Sequence, residues 1–314
     1  MEFVRGLDAL PLAGGEAVVT VGFFDGVHLG HRAVLARTVA EASERGLRSV
    51  AMTFDRHPRE VLAPGTEPRL LCSLERRTEL IAEAGIDALV VLPFDRDFSV
   101  VPAETFVREV LVGGVHARHA VMGANFTFGY RAAGTMENLP AMGAPVGLTA
   151  ESVPLLLLEG RPVSSTSIRE ALAGGDLTWP AEALGRRFLL EGDVVTGHGR
   201  GRGLGYPTAN LRTWPRLLLP GQGIYAGVAS FEGRRYRAAI DVGTNPTFGV
   251  EPLHVEAFLL AYEGGDLPGR PLSIAFWERL RDEVRYDDVD ALVAAIAADV
   301  ERTRAVVPAD ALVA

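Results

Sequence analysis

Two histidines three residues apart, His28 and His31, lie in the stretch GFFDGVHLGH just where an apolar, strand-like run ends. If a helix begins near Leu29, residues at i and i+3 share a face and both imidazoles project at its N-terminus. Free backbone N–H groups and the helix dipole attract phosphate there. An imidazole can donate a hydrogen bond to a phosphate oxygen as charge builds in a transition state, and losing one such donor typically costs about 3 kcal/mol. Gly22, Gly26 and Gly30 allow the backbone to approach a nucleotide closely.

A second group is SSTSIRE, residues 164–170. Its hydroxyls ahead of an apolar run read as a helix start, with Ser165 or Thr166 as cap and phosphate ligand. Arg169 would meet a pyrophosphate with its planar fork. Taken alone, the same residues describe an ordinary capped helix with a solvated arginine.

The third group is TGHGRGRGLGYPTANL, residues 196–211, with glycines at 197, 199, 201, 203 and 205. Strict alternation fits neither GxGxxG nor the Walker pattern. The run leads into YPTAN, where Thr208 and Asn210 offer hard oxygen ligands suited to magnesium on nucleotide phosphates. Downstream, HVEAFLL sets Glu256 among apolar residues on a strand, a costly place for an unpartnered carboxylate. As a general base it could take a proton from an alcohol attacking ATP. Strand alternation could equally point it to solvent.

These residues need elements to hold them. In the first half, strand runs such as EAVVTVGF, SVAMTFD, DALVVLPF and HAVMGANF alternate with helical runs. Continuous apolar strands with helical crossovers predict a parallel sheet covered on both faces. GFFDGVHLGH, TFDRHP and GANFTFG all fall at carboxyl ends of strands, where such sheets bind ligands. From about Phe188 the pattern changes to short strands and Gly-rich turns (FLLEGDVV, GIYAGVASF, GRRYRAAIDVG, HVEAFLLAY, LSIAFWERL), predicting a small antiparallel barrel. An amphipathic helix over about 289–304 would pack against it. The expected domains are 1–183 and 184–314.

Bulk properties narrow the function. The 314 residues are 48% hydrophobic and 23% charged, which fits folded domains, and a net charge of -9 argues against a nucleic-acid or anionic-lipid partner. All 31 basic residues are arginines, which excludes P-loop, protein-kinase and Schiff-base lysines. Cys72 is the one cysteine and lacks metal-ligand spacing. With no signal-peptide pattern and no apolar run of membrane-spanning length, a cytoplasmic protein is expected.

The His28–His31 stretch resembles the HxGH signature of nucleotidylyltransferases. Together with TFDRHP, GANFTFGYRAAG, SSTSIREAL, GRGLGYPTANL, VGTNPTFG, VEAFLL and LRDEVRY, it makes the chain resemble the bacterial bifunctional riboflavin kinase/FMN adenylyltransferase (FAD synthetase) family over nearly its whole length. The resemblance implies an α/β fold: a Rossmann-like nucleotidylyltransferase domain, then a small antiparallel β-barrel riboflavin kinase domain with a terminal helix. It implies that the barrel phosphorylates riboflavin with MgATP, Thr208 and Asn210 holding the metal and Glu256 acting as base. It implies that the first domain transfers AMP from a second ATP to FMN, giving the flavoprotein cofactor FAD. His28, His31 and Arg169 would act there as catalytic groups. Nucleotide would lie against Gly22, Phe24, Asp25, Gly30, Ser165 and Thr166 in one site and Gly199, Gly203 and Gly205 in the other. Asn125 and Arg281 would contact flavin. The chain departs from the family pattern at Phe23, where an asparagine is usual, at Asn125, where an aspartate can occur, and at Leu267–Gly269, where LPG replaces LYG. The residues alone leave open a riboflavin kinase with a weakened adenylyl site, or a non-catalytic flavin-binding regulator. They give no sign of oligomeric state.

Overall fold

The computed structural model describes residues 1–197, 200–244, 253–264 and 267–313. The chain forms two compact units, Met1–Ser165 and Thr166–Ala314.

The first unit is built on six parallel strands in the spatial order Glu2–Arg5, Ala88–Leu92, Arg48–Phe54, Ala17–Val21, Ala117–Gly123, Thr149–Val153. The three strands AVVTV, ALVVL and RSVAMTF are almost wholly buried, because helices cover both faces. One face packs Val19, Val50, Met52 and Val90 against Phe106, Val110 and Leu111. The other packs Ala51, Leu89 and Val91 against Leu35, Leu80 and Ile81. The helix Leu29–Arg45 ends at Gly46, whose φ of 66° supplies the left-handed turn. The helix Leu74–Glu83 starts at Ser73, whose hydroxyl accepts from Arg76 N at 3.1 Å.

Chain order reverses between Ala17–Val21 and its neighbour Ala117–Gly123. Ligands bind at such a switch point, beyond the carboxyl ends of the strands. GFFDGVHLGH leaves one of these strands and GANF the other.

In the second unit, six antiparallel strands close a barrel in the order Leu189–Val195, Ala209–Thr213, His254–Leu259, Arg234–Gly243, Gly223–Phe231, Pro271–Arg281. Glu232 and Gly233, at φ 49° and 74°, make the tight turn between two of them. The terminal helix Val289–Val306 begins at Asp288, whose carboxylate accepts from Ala291 N at 2.7 Å.

Three strands differ from expectation. Glu2–Arg5 and Thr149–Val153 are the sheet's edges and hold no buried residue, so they lack the apolar run that marks the central strands. Ala209–Thr213 begins inside the stretch read only for its ligand residues, and Asn210 and Leu211 sit on its opposite faces. Two helices, Ser165–Ala173 and Thr178–Leu184, belong almost wholly to the barrel's unit by contact. Leu172 O accepts from Gly221 N at 2.8 Å. A Cβ at 221 would stand 2.6 Å from Ala173 O, so glycine is required there.

Candidate functional site

The first candidate site forms where the strand Ala17–Val21 ends at Gly22. The backbone turns sharply there: Phe24 and Val27 take φ of 54° and 38°. For a β-branched residue such as Val27 this conformation is strained, at about 1–3 kcal/mol, and such strain gathers at functional sites. The turn persists because the surrounding residues hold it. Phe24, Asp25 and Val27 are buried, and Asp25 accepts from Leu71 N at 2.9 and 3.1 Å through its two oxygens. Gly26 N donates to Cys72 Sγ at 3.3 Å, so the lone thiol serves this loop.

His28 is the N-cap of the helix Leu29–Arg45, and its Nδ1 accepts from His31 N at 3.3 Å. An Nδ1 that accepts carries no proton, so the ring N–H of a neutral His28 is at Nε2. The rings of His28 and His31 stack at 3.6 Å with 18° between planes. Phe24 closes edge-on against His31 at 5.3 Å. A Cβ at Gly30 would lie 3.2 Å from the His28 ring, so glycine leaves that ring its place.

Ser165 Oγ donates to Asp25 O at 3.0 Å, so the last residue of the first unit bonds to the GFFDG turn. The helix runs Ser165–Ala173, so Ser165 and Thr166, either of which was expected as its cap, instead occupy its first two positions. Arg169 lies one turn on and is half-buried. Asn125 is exposed in the turn after the strand Ala117–Gly123.

Sequence reading missed Arg77. It is only 2% exposed, and its Nη1 donates to Phe23 O at 2.6 Å and Thr53 Oγ1 at 3.3 Å. Its guanidinium lies 4.3 Å from the centre of the Phe23 ring, and His57 meets the same ring edge-on at 4.8 Å. Burial pulls the Arg77 pKa down, opposed by Cys72 and Asp25. Phe23, in the place where an amide is usual, therefore supplies a π face to a buried cation. The helical spacing of LERRTELIAE marks a buried stripe, but an arginine within it gave no sequence signal.

The second candidate site lies on the barrel. Asn210 pairs directly with Glu256 across two strands, which puts both side chains on one face. Thr208 Oγ1 donates to Glu256 Oε2 at 2.7 Å, and His254 Nε2 lies 3.3 Å from Glu256 Oε1. Glu256 is thus half-buried with partners on both oxygens. A cavity of about 370 Å³ opens beside it, lined by Thr196, Gly197, Pro207, Thr208, Asn210 and Leu267 among others. The chain at Gly197 packs so closely on the Asn210 amide that any side chain would displace it. Gly203 borders open space and Gly205 takes a φ of 88°. Gly199 lies outside the described residues.

Arg281 ends the strand Pro271–Arg281 in a bidentate pair with Asp299 of the terminal helix, at 3.0 and 2.6 Å. Burial lowers its pKa, but the Asp299 bonds outweigh that and raise it. Asp241 was not singled out by sequence. Burial, then Glu283 and Glu256, push its carboxyl up to about 7, against the opposite pull of His254 and Arg281.

Residues 12–167 match the sequence model of FAD synthetase, and residues 184–307 that of riboflavin kinase. A bifunctional riboflavin kinase/FMN adenylyltransferase of Pseudomonas fluorescens is 37% identical over 97% of each chain. The chain belongs to this family. A member from Listeria monocytogenes is 33% identical over 92% of this chain and 91% of its own. A solved Streptococcus pneumoniae structure, described as a macrolide-efflux protein, superposes with a TM-score of 0.87 at 29% identity, covering 97% of this chain and 99% of that one. Among the described residues of this family member, no helix is long and apolar enough to cross a membrane.

Proposed function

We propose that the chain makes FAD from riboflavin in two ATP-dependent steps, one in each module, as its family membership supports. The kinase module is 184–314 and the adenylyltransferase module 1–183. The reading rests on one observation: a single chain keeps the stacked His28–His31 pair at a helix N-terminus and the Thr208–Glu256–Asn210 group beside a cavity.

In the kinase step, Glu256 takes the proton of the ribityl 5′-hydroxyl. The oxygen attacks the γ-phosphorus of ATP, the bond to the β-phosphate oxygen breaks, and ADP leaves with FMN formed. Thr208 and Asn210 present neutral oxygens next to the cavity, a donor set that fits magnesium completed by phosphate oxygens. Bound there, the ion would neutralise phosphate charge. Thr208 also fixes the Glu256 carboxylate through the 2.7 Å bond. Gly203 and Gly205 would lie along the nucleotide, and Arg281 would serve the flavin end through the helix it holds.

In the adenylyl step, a phosphate oxygen of FMN attacks the α-phosphorus of a second ATP, and pyrophosphate leaves. His28 donates from Nε2 to an oxygen on the α-phosphorus, and His31 backs its ring by stacking. Gly22, Phe24, Asp25 and Gly30 shape the nucleotide side, Ser165, Thr166 and Arg169 take the triphosphate, and Asn125 contacts flavin. We read the protein as cytoplasmic, in keeping with a buried Cys72 that remains a free thiol.

Incubation with riboflavin, ATP and magnesium, followed by separation of FMN and FAD, tests the reading. Both products are expected. FMN without FAD, even from added FMN, would leave the kinase alone, and neither product would defeat the proposal.

A further inference from the structure

One row of cross-strand partners runs around the barrel through the kinase site. Asn210 faces Glu256, Glu256 faces Asp241, Asp241 faces Ile224, and Ile224 faces Arg281. Directly opposed residues carry their side chains on the same face. The alternate residues Val255, Ala257, Ile240 and Val242 are fully buried, so the row lies on the outside of the barrel. Asp241 therefore stands between Glu256, which acts on the ribityl 5′-hydroxyl, and Arg281 at the flavin end.

Asp241 Oδ1 is buried and has no hydrogen-bond partner among the described residues. A buried carboxylate oxygen left unpaired is unfavourable, so a retained one calls for a partner brought by the substrate. Its surroundings restrict that partner. The Cβ position of Gly243 lies 2.7 Å from Asp241 Oδ1 and closer still to Glu283 Oε1, so two carboxylates converge there, with Glu256 as a third neighbour. His254 and Arg281 oppose this negative charge on Asp241. Phosphate is repelled from such a place, whereas an alcohol donates to it. Because Asp241 exchanges its proton near neutrality, it can also donate in return.

We propose that Asp241 recognises an interior hydroxyl of the ribityl chain and so selects a polyhydroxylated flavin side chain for phosphorylation. This rests on the kinase reading above. It makes Asp241 a specificity-determining residue of that reaction, one position along the row from the base.

The test compares riboflavin with an isoalloxazine bearing a 5-hydroxypentyl chain, which keeps the terminal hydroxyl and lacks the interior three. Wild type should favour riboflavin in kcat/KM by about tenfold or more. Asp241→Ala should bring the two substrates within about threefold of each other, while Asp241→Asn, which can still hydrogen-bond, keeps most of the preference. Circular dichroism and cooperative thermal unfolding of each variant check the fold. An undiminished preference in Asp241→Ala overturns the proposal. Should that variant not fold, analogues lacking one interior hydroxyl at a time decide with wild type: one deletion should account for most of the preference, and no effect of any deletion overturns the idea. A wild type that phosphorylates no flavin at all would instead defeat the kinase reading.

Discussion

Thr208 Oγ1 and Glu256 Oε2 are 2.7 Å apart, a bond between residues 48 positions apart in sequence. It ties the oxygen-bearing PTAN stretch to the carboxylate proposed as base. The hydroxyl donates to the charged form, so it orients Glu256 as an acceptor.

Replacing Glu256 by Gln keeps size and removes the proposed base. Riboflavin phosphorylation should fall by about a hundredfold to ten-thousandfold. FMN supplied from outside should still become FAD. Near-normal phosphorylation, followed as ADP release, would remove Glu256 from the mechanism.

His28→Ala combined with His31→Ala should end FAD formation and leave FMN formation intact. In the proposed adenylyl step His28 donates at the α-phosphate and His31 stacks behind it, so on that reading their loss acts on one chemistry only. Product chromatography reads both steps in one sample. A folded double mutant that still made FAD at the wild-type rate would contradict the assignment.

Arg77 and Phe23 should be coupled. Arg77→Met leaves the Phe23 carbonyl without its 2.6 Å donor, and Phe23→Leu leaves the cation without its ring. Each should destabilise the protein by about 1–3 kcal/mol, and a double-mutant cycle should show non-additivity of about 0.5 kcal/mol or more. Phe23→Asn should shift adenylyl transfer by about tenfold or less and leave the kinase unchanged. Additive losses in chemical denaturation would mean the two residues act independently.

Asp241 gives a pH signature. Its pKa is raised from 3.8 to about 7 on folding, by burial first and then by Glu283 and Glu256. Between those values the folded state binds more protons than the unfolded state. The stability linked to this group is therefore full at low pH and is lost as pH rises toward 7, by roughly 4 kcal/mol at most. Asp241→Asn escapes this loss. Its advantage over wild type in denaturant unfolding should be larger at pH 8 than at pH 5, and an equal difference at both pH values would show that Asp241 is not buried with a raised pKa.

The helix Ser165–Ala173 should matter to the stability of the barrel. A fragment starting at Thr166 keeps the Leu172–Gly221 bond, whereas one starting at Leu184 loses it. Both should phosphorylate riboflavin, with the longer fragment melting at the higher temperature. A shorter fragment of equal or greater stability would show the helix to be dispensable to the barrel.

Much of this was readable from the chain itself. Runs such as AVVTV and ALVVL mark central strands because burial on both sheet faces demands continuous apolar residues. HxGH, SSTSIRE and PTAN are legible because each sets particular side chains at fixed local spacing, whereas Glu256 joins Thr208 and Asn210 only through strand pairing. The edge strands Glu2–Arg5 and Thr149–Val153 were not readable, since an exposed edge imposes no such pattern. Nor were Arg77 and Asp241, whose roles come from what the fold sets beside them. An arginine in a helix and an aspartate in a strand look ordinary until tertiary packing stacks one on Phe23 and sets the other in register with Glu256. Local sequence determined which groups could do the chemistry. Only strand register and burial decided which of them share a face, and how much charge each can hold there.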